Sequence, residues 1–319
     1  MKFLKKLKEI KGDASFRRFF RNKKNNSIIV FAKKEKNKNL LIYDAINKIL
    51  IKNKILAPKL INHKYKKNYI EIQDLGKETV YNILKNKKIK SYEIFKSTVK
   101  ILNKIQLIKD KKIKNFKNQS YKIQEYHNRV LFDETKLFCD WYVPKQISKK
   151  KRIKFNNQFK KEIKFLLSKL NYRNDTFVHR DFHVSNLMYF KKKIGVIDSQ
   201  DALIGNKAYD LASLIDDVRF KTSNKLKERV YDYYLQTNKK IKKNFFRSDF
   251  EILSVLRNLK IIGIFMRLAT RDNKKKYLKL IPYAWEMIDY RTSQSKVFDN
   301  LLIILKHNFS RFLSLKNEN

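Results

Sequence analysis

Residues 177–200, FVHRDFHVSNLMYFKKKIGVIDSQ, constrain this chain more than any other stretch. Two short apolar runs rich in strand formers, residues 187–190 and 194–197, flank Lys191, Lys192 and Lys193, which predicts an antiparallel hairpin. A hairpin returns its two ends to one place. Asn186 precedes the outgoing run and Asp198 follows the returning one, so pairing brings an amide oxygen beside a carboxylate. Asp181, in the loop His179-Arg180-Asp181, adds a second carboxylate one loop away. Oxygen donors grouped in this way suit Mg²⁺ and a nucleoside triphosphate.

Phosphoryl transfer asks for a loop aspartate to accept the proton of an attacking hydroxyl, an asparagine shortly after it, and a metal-holding aspartate beyond a hairpin. Asp181, Asn186 and Asp198 occur in that order and are the candidate catalytic residues, with Asn186 and Asp198 the candidate metal ligands. The transferring group needs positioning and charge neutralisation more than covalent help, so three side chains suffice as a centre. His179 and His183 are four apart, but a loop residue lies between them and no third soft ligand is near, so zinc is not expected. His179 reads instead as a brace for the loop through a backbone hydrogen bond.

HRDFHVSNLM followed by GVIDSQDALIGNKAYDLASLI resembles the aminoglycoside phosphotransferase and choline kinase superfamily. Within it the likeness is to the anomeric sugar kinase group that phosphorylates N-acetylmuramate and N-acetylglucosamine. GDASFRRFFR (12–21), IQDLG (72–76), LFCDWYV (137–143) and NLKIIGIFMRLATRD (258–272) resemble stretches of that group in the same order. The resemblance implies an α+β, bilobal protein-kinase-like fold. Residues 1–75 would form a small nucleotide-binding lobe with an antiparallel sheet, and 76–319 a larger, mainly helical catalytic and acceptor-binding lobe. ATP and Mg²⁺ are the implied cofactors. The implied partner is a small molecule, an amino sugar whose anomeric hydroxyl takes the γ-phosphoryl group in cell-wall recycling.

The same resemblance makes the backbone at Gln73 and Leu75 the expected adenine contact. Glu134, Asp140 and Trp141 are expected to border the acceptor pocket, where carboxylates bind sugar hydroxyls and an aromatic ring stacks on a pyranose face. Asp201, close behind Asp198, is a candidate acceptor-side carboxylate. Two departures from the group stand out: Ser199 replaces an aromatic, and Asp216 and Asp217 stand near the place of an arginine.

In the small lobe, the turn at residues 12–15 offers backbone N–H groups and the Ser15 hydroxyl to phosphate oxygens. Arg17 and Arg18 follow on a strand that sends them to opposite faces, and Arg18 is taken as the one facing the nucleotide. The strand at 27–32 (SIIVFA) lacks the lysine that kinases place there to hold the α and β phosphates. Residues 40–51 read as a helix, 69–75 as a strand, and Asp74 is placed to cap the helix after it. Phe3, Leu7 and Ile10 fall at helical spacing and predict a short N-terminal helix. Residues 81–170 read as helical with a lysine-dense loop at 109–118, and 250–270 and 285–305 as further helices.

With 319 residues, 43% of them hydrophobic, the chain can bury a sizeable core. Its formal net charge of +46 first suggests nucleic acid, but lysines are spread along every segment with no separate basic tail, so solvated faces are the expectation. Cys139 is the sole cysteine, which excludes an intrachain disulfide. No apolar run reaches the length of a signal peptide core or a membrane span, and a cytoplasmic location is expected. Two alternatives stay open: a kinase for another hydroxyl substrate, such as an aminoglycoside, an amino alcohol or a lipopolysaccharide sugar, and a non-catalytic basic module binding RNA or polyanions. A protein kinase is disfavoured, because the Gly-rich loop, the strand lysine and an Ala-Pro-Glu signature are missing.

Overall fold

The computed structural model describes residues 4, 7–10, 17–33, 35 and 38–313. They group into two compact units, residues 1–124 with 176–204, and residues 125–175 with 205–319.

The first unit begins with β1 (Lys8–Ile10), β2 (Arg18–Asn22), β3 (Ser27–Phe31), α1 (Asn39–Lys52), β4 (Leu60–Lys64) and β5 (Tyr69–Gln73). The strands form an antiparallel sheet in the order β1-β2-β3-β5-β4. Alternation along the central strands supplies both faces. Ile28, Val30, Ile70 and Ile72 pack with Leu40 and Tyr43 of α1, while Ile29 and Phe20 pack with Leu4 on the other side. Of the predicted N-terminal helix, Phe3 lies outside the described residues, and Lys8–Ile10 is corrected to an edge strand paired with residues 19–21. An isolated short helix is marginal in water, whereas an edge strand takes its backbone bonds from a neighbour already in place.

Past the sheet come α2 (Val80–Lys85), α3 (Ser91–Gln106), β6 (Lys112–Lys114) and β7 (Ser120–Lys122). Asp74 does not cap α2. It is gripped by Arg21 at 2.5 Å and accepts the Gly76 N–H at 2.8 Å, and Thr79 caps the helix by accepting from the Asn82 N–H at 3.1 Å. Part of the lysine-dense loop is a small hairpin, β6 against β7, whose turn is closed by Asn115 Oδ1 accepting from the N–H groups of Lys117 and Gln119.

The unit is completed by β8 (Thr176–Val178), β9 (Leu187–Phe190), β10 (Lys193–Val196) and β11 (Leu203–Gly205), with β8 beside β11 and β9 beside β10. Phe190 pairs with Lys193, so the hairpin turn is two residues, Lys191 and Lys192, one shorter than expected. Both are left-handed, at φ 48° and 60°, which matches the twist of the strands without the usual Asn-Gly.

The second unit holds α4 (Asn128–Thr135), a π-helical turn (Phe138–Tyr142), α5 (Lys149–Ser168), α6 (Ala208–Ile215), α7 (Asn224–Thr237), α8 (Lys243–Thr270), α9 (Ile281–Thr292) and α10 (Asp299–Leu313). The single helix expected over 285–305 is divided between α9 and α10 by Ser293, Gln294 and Ser295, with Ser295 accepting from the Val297 N–H. Phe138, Tyr142, Phe155, Phe159, Trp285 and Phe309 form an aromatic core. The Trp285 indole N–H donates to the Tyr142 hydroxyl at 3.2 Å, so the polar atoms carried into this core find partners. No helix among the described residues is long and apolar enough to cross a membrane.

Candidate active site

The β9–β10 hairpin is clamped along both edges. Val196 donates its N–H to the Leu56 carbonyl at 2.8 Å, and Tyr189 donates to the Glu78 carbonyl at 2.7 Å. Its open end places the candidate residues. Ile197 donates its N–H to the Asn186 carbonyl at 3.1 Å, one position beyond the closing pair of Leu187 and Val196. The Ile197 carbonyl in turn accepts from His179 Nε2 at 3.1 Å. A carbonyl only accepts, so Nε2 carries the hydrogen. Burial holds the His179 pKa below its ordinary value against the pull of Asp181, Asp198 and Asp201, which keeps the ring a neutral brace.

Asp198 follows directly in the left-handed region at φ 62°. Arg180, beside Asp181, is left-handed as well at φ 72°, and its Nη1 donates to the Asp201 carbonyl at 3.1 Å. Such conformations cost on the order of 1–3 kcal/mol each and persist where the surroundings impose them. The Asp181 carbonyl accepts from the His183 N–H at 3.0 Å and from Asn186 Nδ2 at 3.1 Å. With the amide nitrogen of Asn186 turned to the loop, its Oδ1 occupies the other branch of the amide. The structure therefore brings Asp181, Asn186 and Asp198 onto one braced loop-and-hairpin.

The arginine that the sequence reading passed over in favour of Arg18 completes the cluster. Arg17 donates from Nη2 to Asp198 Oδ1 at 2.6 Å and from Nη1 to Gln200 Oε1 at 2.7 Å, and Gln200 Nε2 donates to the Asp201 carboxylate at 2.6 Å. Its guanidinium lies 5.7 Å from the Tyr43 ring centre and 5.8 Å from that of Phe19. Arg18, taken from the sequence as the nucleotide-facing arginine, is turned outward and forks onto Glu9 at 2.8 Å. The two arginines point to different sides, Arg17, one residue ahead of β2, towards Asp198 and Arg18 towards Glu9.

The other candidates are placed as follows. Ser15 lies outside the described residues. Gln73 ends β5 with its N–H donated to the Lys59 carbonyl at 2.8 Å, and Leu75 is buried against the hairpin near Gly195. Asp201 is exposed on the turn after Asp198. Within the second unit, Glu134 is held by Lys260 at 2.9 Å and by the Tyr126 hydroxyl. Asp140 is exposed, 4.0 Å from Lys136, and Trp141 is half-buried beside it on the π-helical turn.

An asparagine amide oxygen and a carboxylate are hard donors of the kind Mg²⁺ takes alongside phosphate oxygens. The orientation of Asn186 and the Oδ2 of Asp198 left beside its Arg17 contact fit that ion.

The profile of the phosphotransferase enzyme family, APH, matches residues 6–242, well over half of the chain. The chain belongs to this family. Among curated relatives of this phosphotransferase is the N-acetylmuramate/N-acetylglucosamine kinase of Neisseria meningitidis serogroup B, 35% identical over 170 residues, which are 50% of this chain and 50% of the relative. The match thus spans about half of that relative's length. The enzyme of the same name from Pseudomonas aeruginosa is 26% identical over 282 residues, covering 85% of this phosphotransferase and 79% of the relative. Solved structures show the fold. A choline/ethanolamine kinase family protein from Mesorhizobium loti matches with TM-score 0.62 at 10% identity, over 94% of this chain and 92% of that one. A streptomycin–ATP complex of an aminoglycoside phosphotransferase matches with TM-score 0.58 at 13% identity, over 88% of this chain and 93% of that one. The α+β, kinase-like fold expected from the sequence is therefore the fold of this chain, with a five-stranded antiparallel sheet and a mostly helical remainder.

Proposed function

We propose that this phosphotransferase is an ATP- and Mg²⁺-dependent sugar kinase that phosphorylates the anomeric hydroxyl of N-acetylmuramate or N-acetylglucosamine. Residues 1–75 serve as the nucleotide lobe and 76–319 as the catalytic and acceptor lobe. The observation that carries the reading is the bond from the Ile197 N–H to the Asn186 carbonyl, which seats Asn186 and Asp198 side by side beside the Asp181 loop. The relatives' shared name supports the acceptor, and the ATP complex of a structural neighbour supports the nucleotide.

Asp181 orients the acceptor hydroxyl and takes its proton. Asn186 and Asp198 hold the cation, which when bound neutralises charge on the polyphosphate. His179 and Arg180 keep the loop in the strained shape that presents Asp181. Glu134, neutralised by Lys260, offers an oxygen to a sugar hydroxyl, and Asp140, Trp141 and Asp201 are further acceptor contacts. A polycationic drug is a poor acceptor for a chain of net charge +46, because like charges repel. The proposed location is the cytoplasm, where ATP is available.

The test is ATP turnover with a panel of sugars and amino alcohols, N-acetylmuramate first, comparing wild type with Asp181→Asn. Sugar-dependent ADP release and a loss of about 10³-fold or more in the variant are expected. Equal turnover by the variant removes Asp181 as the base. Salt-sensitive RNA binding without sugar-dependent turnover replaces the kinase with a polyanion-binding module.

A further inference from the structure

We propose that Arg17 is the polyphosphate-binding cation of this chain, and that without nucleotide it occupies the metal-holding carboxylate of Asp198. This rests on the kinase reading above and supplies what that reading leaves open, the group that grips the triphosphate in the absence of a strand lysine. Strand β3 reads Ser-Ile-Ile-Val-Phe, Ala32 after it is fully buried, and Lys33 is exposed. The charge that kinases carry on that strand has to come from elsewhere.

Arg17 meets the requirements that Arg18 does not. Its side chain is 4% exposed against 56% for Arg18, and it points at Asp198 rather than at the distant Glu9. A guanidinium does not shed its proton, so a buried one needs an anion in every state of the protein. Asp198 supplies such an anion at 2.6 Å, and Glu35 lies within electrostatic reach of the same guanidinium. When Asp198 turns its charge to a divalent cation, Arg17 loses part of its partner, and the polyphosphate held by the same cation brings anionic oxygens to the same place. The planar fork allows the exchange. Nη1 stays on Gln200, which Asp201 anchors, while Nη2 passes from carboxylate to phosphate. Tyr43 and Phe19 flank the guanidinium and limit its travel.

This arrangement sets Arg17 in competition with the metal for Asp198 and in cooperation with the nucleotide. Loss of Arg17 therefore acts with opposite signs on two ligands, whereas loss of a merely structural brace weakens both. The experiment measures three equilibria on the full chain, wild type against Arg17→Gln and Arg17→Lys. They are Mn²⁺ alone, read by electron paramagnetic resonance of the free ion; a fluorescent ADP analogue in EDTA; and adenosine. For Arg17→Gln, ADP affinity in EDTA should fall about tenfold or more, as for loss of a charge-assisted contact, with adenosine within about twofold and Mn²⁺ alone bound more tightly. Arg17→Lys should fall between wild type and Arg17→Gln for ADP. Unchanged ADP binding in EDTA, or weaker Mn²⁺ binding, overturns the proposal.

Asp198→Asn gives an independent check should the arginine variants fold poorly. It releases the Nη2 branch of Arg17 from its carboxylate, so metal-free ADP should bind more tightly than to wild type, and equal or weaker binding overturns the proposal. A wild-type chain that binds ADP while Arg17→Gln binds it equally sinks only the role of Arg17. A wild-type chain that binds no nucleotide under any condition sinks the kinase reading with it.

Discussion

Ser199 donates its hydroxyl to Asn47 Oδ1 over 2.7 Å, fastening helix α1 to the turn that begins at Asp198. Both residues are buried, and Asn47 Nδ2 is itself tied to the Pro58 carbonyl at 3.1 Å. Ser199→Ala leaves the Asn47 oxygen without that donor, at a cost of about 1–3 kcal/mol. The slack falls on Asp198, so KM for Mg-ATP should rise several-fold while KM for the acceptor stays put. Steady-state kinetics with each substrate varied separates this from a general loss of active protein.

Asp216 is fully buried between Lys227 at 3.1 Å and Arg291 at 2.8 Å, and it also accepts from Ser254 at 2.6 Å. Burial alone would raise its pKa, but Arg291 and Lys227 outweigh it and hold the carboxyl far below the usual range. Asp216→Asn leaves two buried cations short of a counter-charge and should destabilise by about 3–5 kcal/mol. Calorimetry should show a fall in Tm of about 4–7 °C.

The pKa of His179 is depressed by burial, so the unfolded chain takes up its proton first as pH falls below about 6.5. The folded state loses stability from there down to the folded pKa, by up to about 1.4 kcal/mol per pH unit. His179→Gln has no such proton to bind, so the gap in unfolding free energy between it and wild type should narrow as pH drops from 7 towards 5 in urea titrations. A constant gap would mean that folding leaves the His179 pKa unshifted, and a widening gap that folding raises it.

A Cβ on Gly263 of α8 would stand 2.4 Å from the Leu137 carbonyl carbon and oxygen, and 2.6 Å from the Phe138 nitrogen. Those are backbone atoms at the entry to the π-helical turn, which cannot yield as a side chain end does. Gly263→Ala should cost about 2–3 kcal/mol by urea unfolding. Because Asp140 and Trp141 sit on that turn, KM for the acceptor should rise as well.

Burial pushes the Cys139 thiol up to about 12, with Asp140 adding to the shift. The native protein should resist disulfide-exchange reagents at pH 8 and react with one equivalent once unfolded in guanidinium. Fast labelling of the native chain would show that the π-helical turn opens readily.

The hairpin, the order of Asp181, Asn186 and Asp198, and most of the helices were legible because each is a local pattern. Apolar alternation, turn residues and helical spacing act over a few positions, and backbone geometry translates them directly. Where the reading failed, the deciding partner was far away in the chain. Phe3, Leu7 and Ile10 carry helical spacing, yet Lys8–Ile10 became a strand because residues 19–21 offered a ladder. Asp74 went to Arg21 and left the cap to Thr79. Arg17 and Arg18, neighbours in sequence, point to different sides, which is a local property. Which face looked inward was decided by the position of Asp198, 181 residues away, and only the folded chain brings those two charges to 2.6 Å.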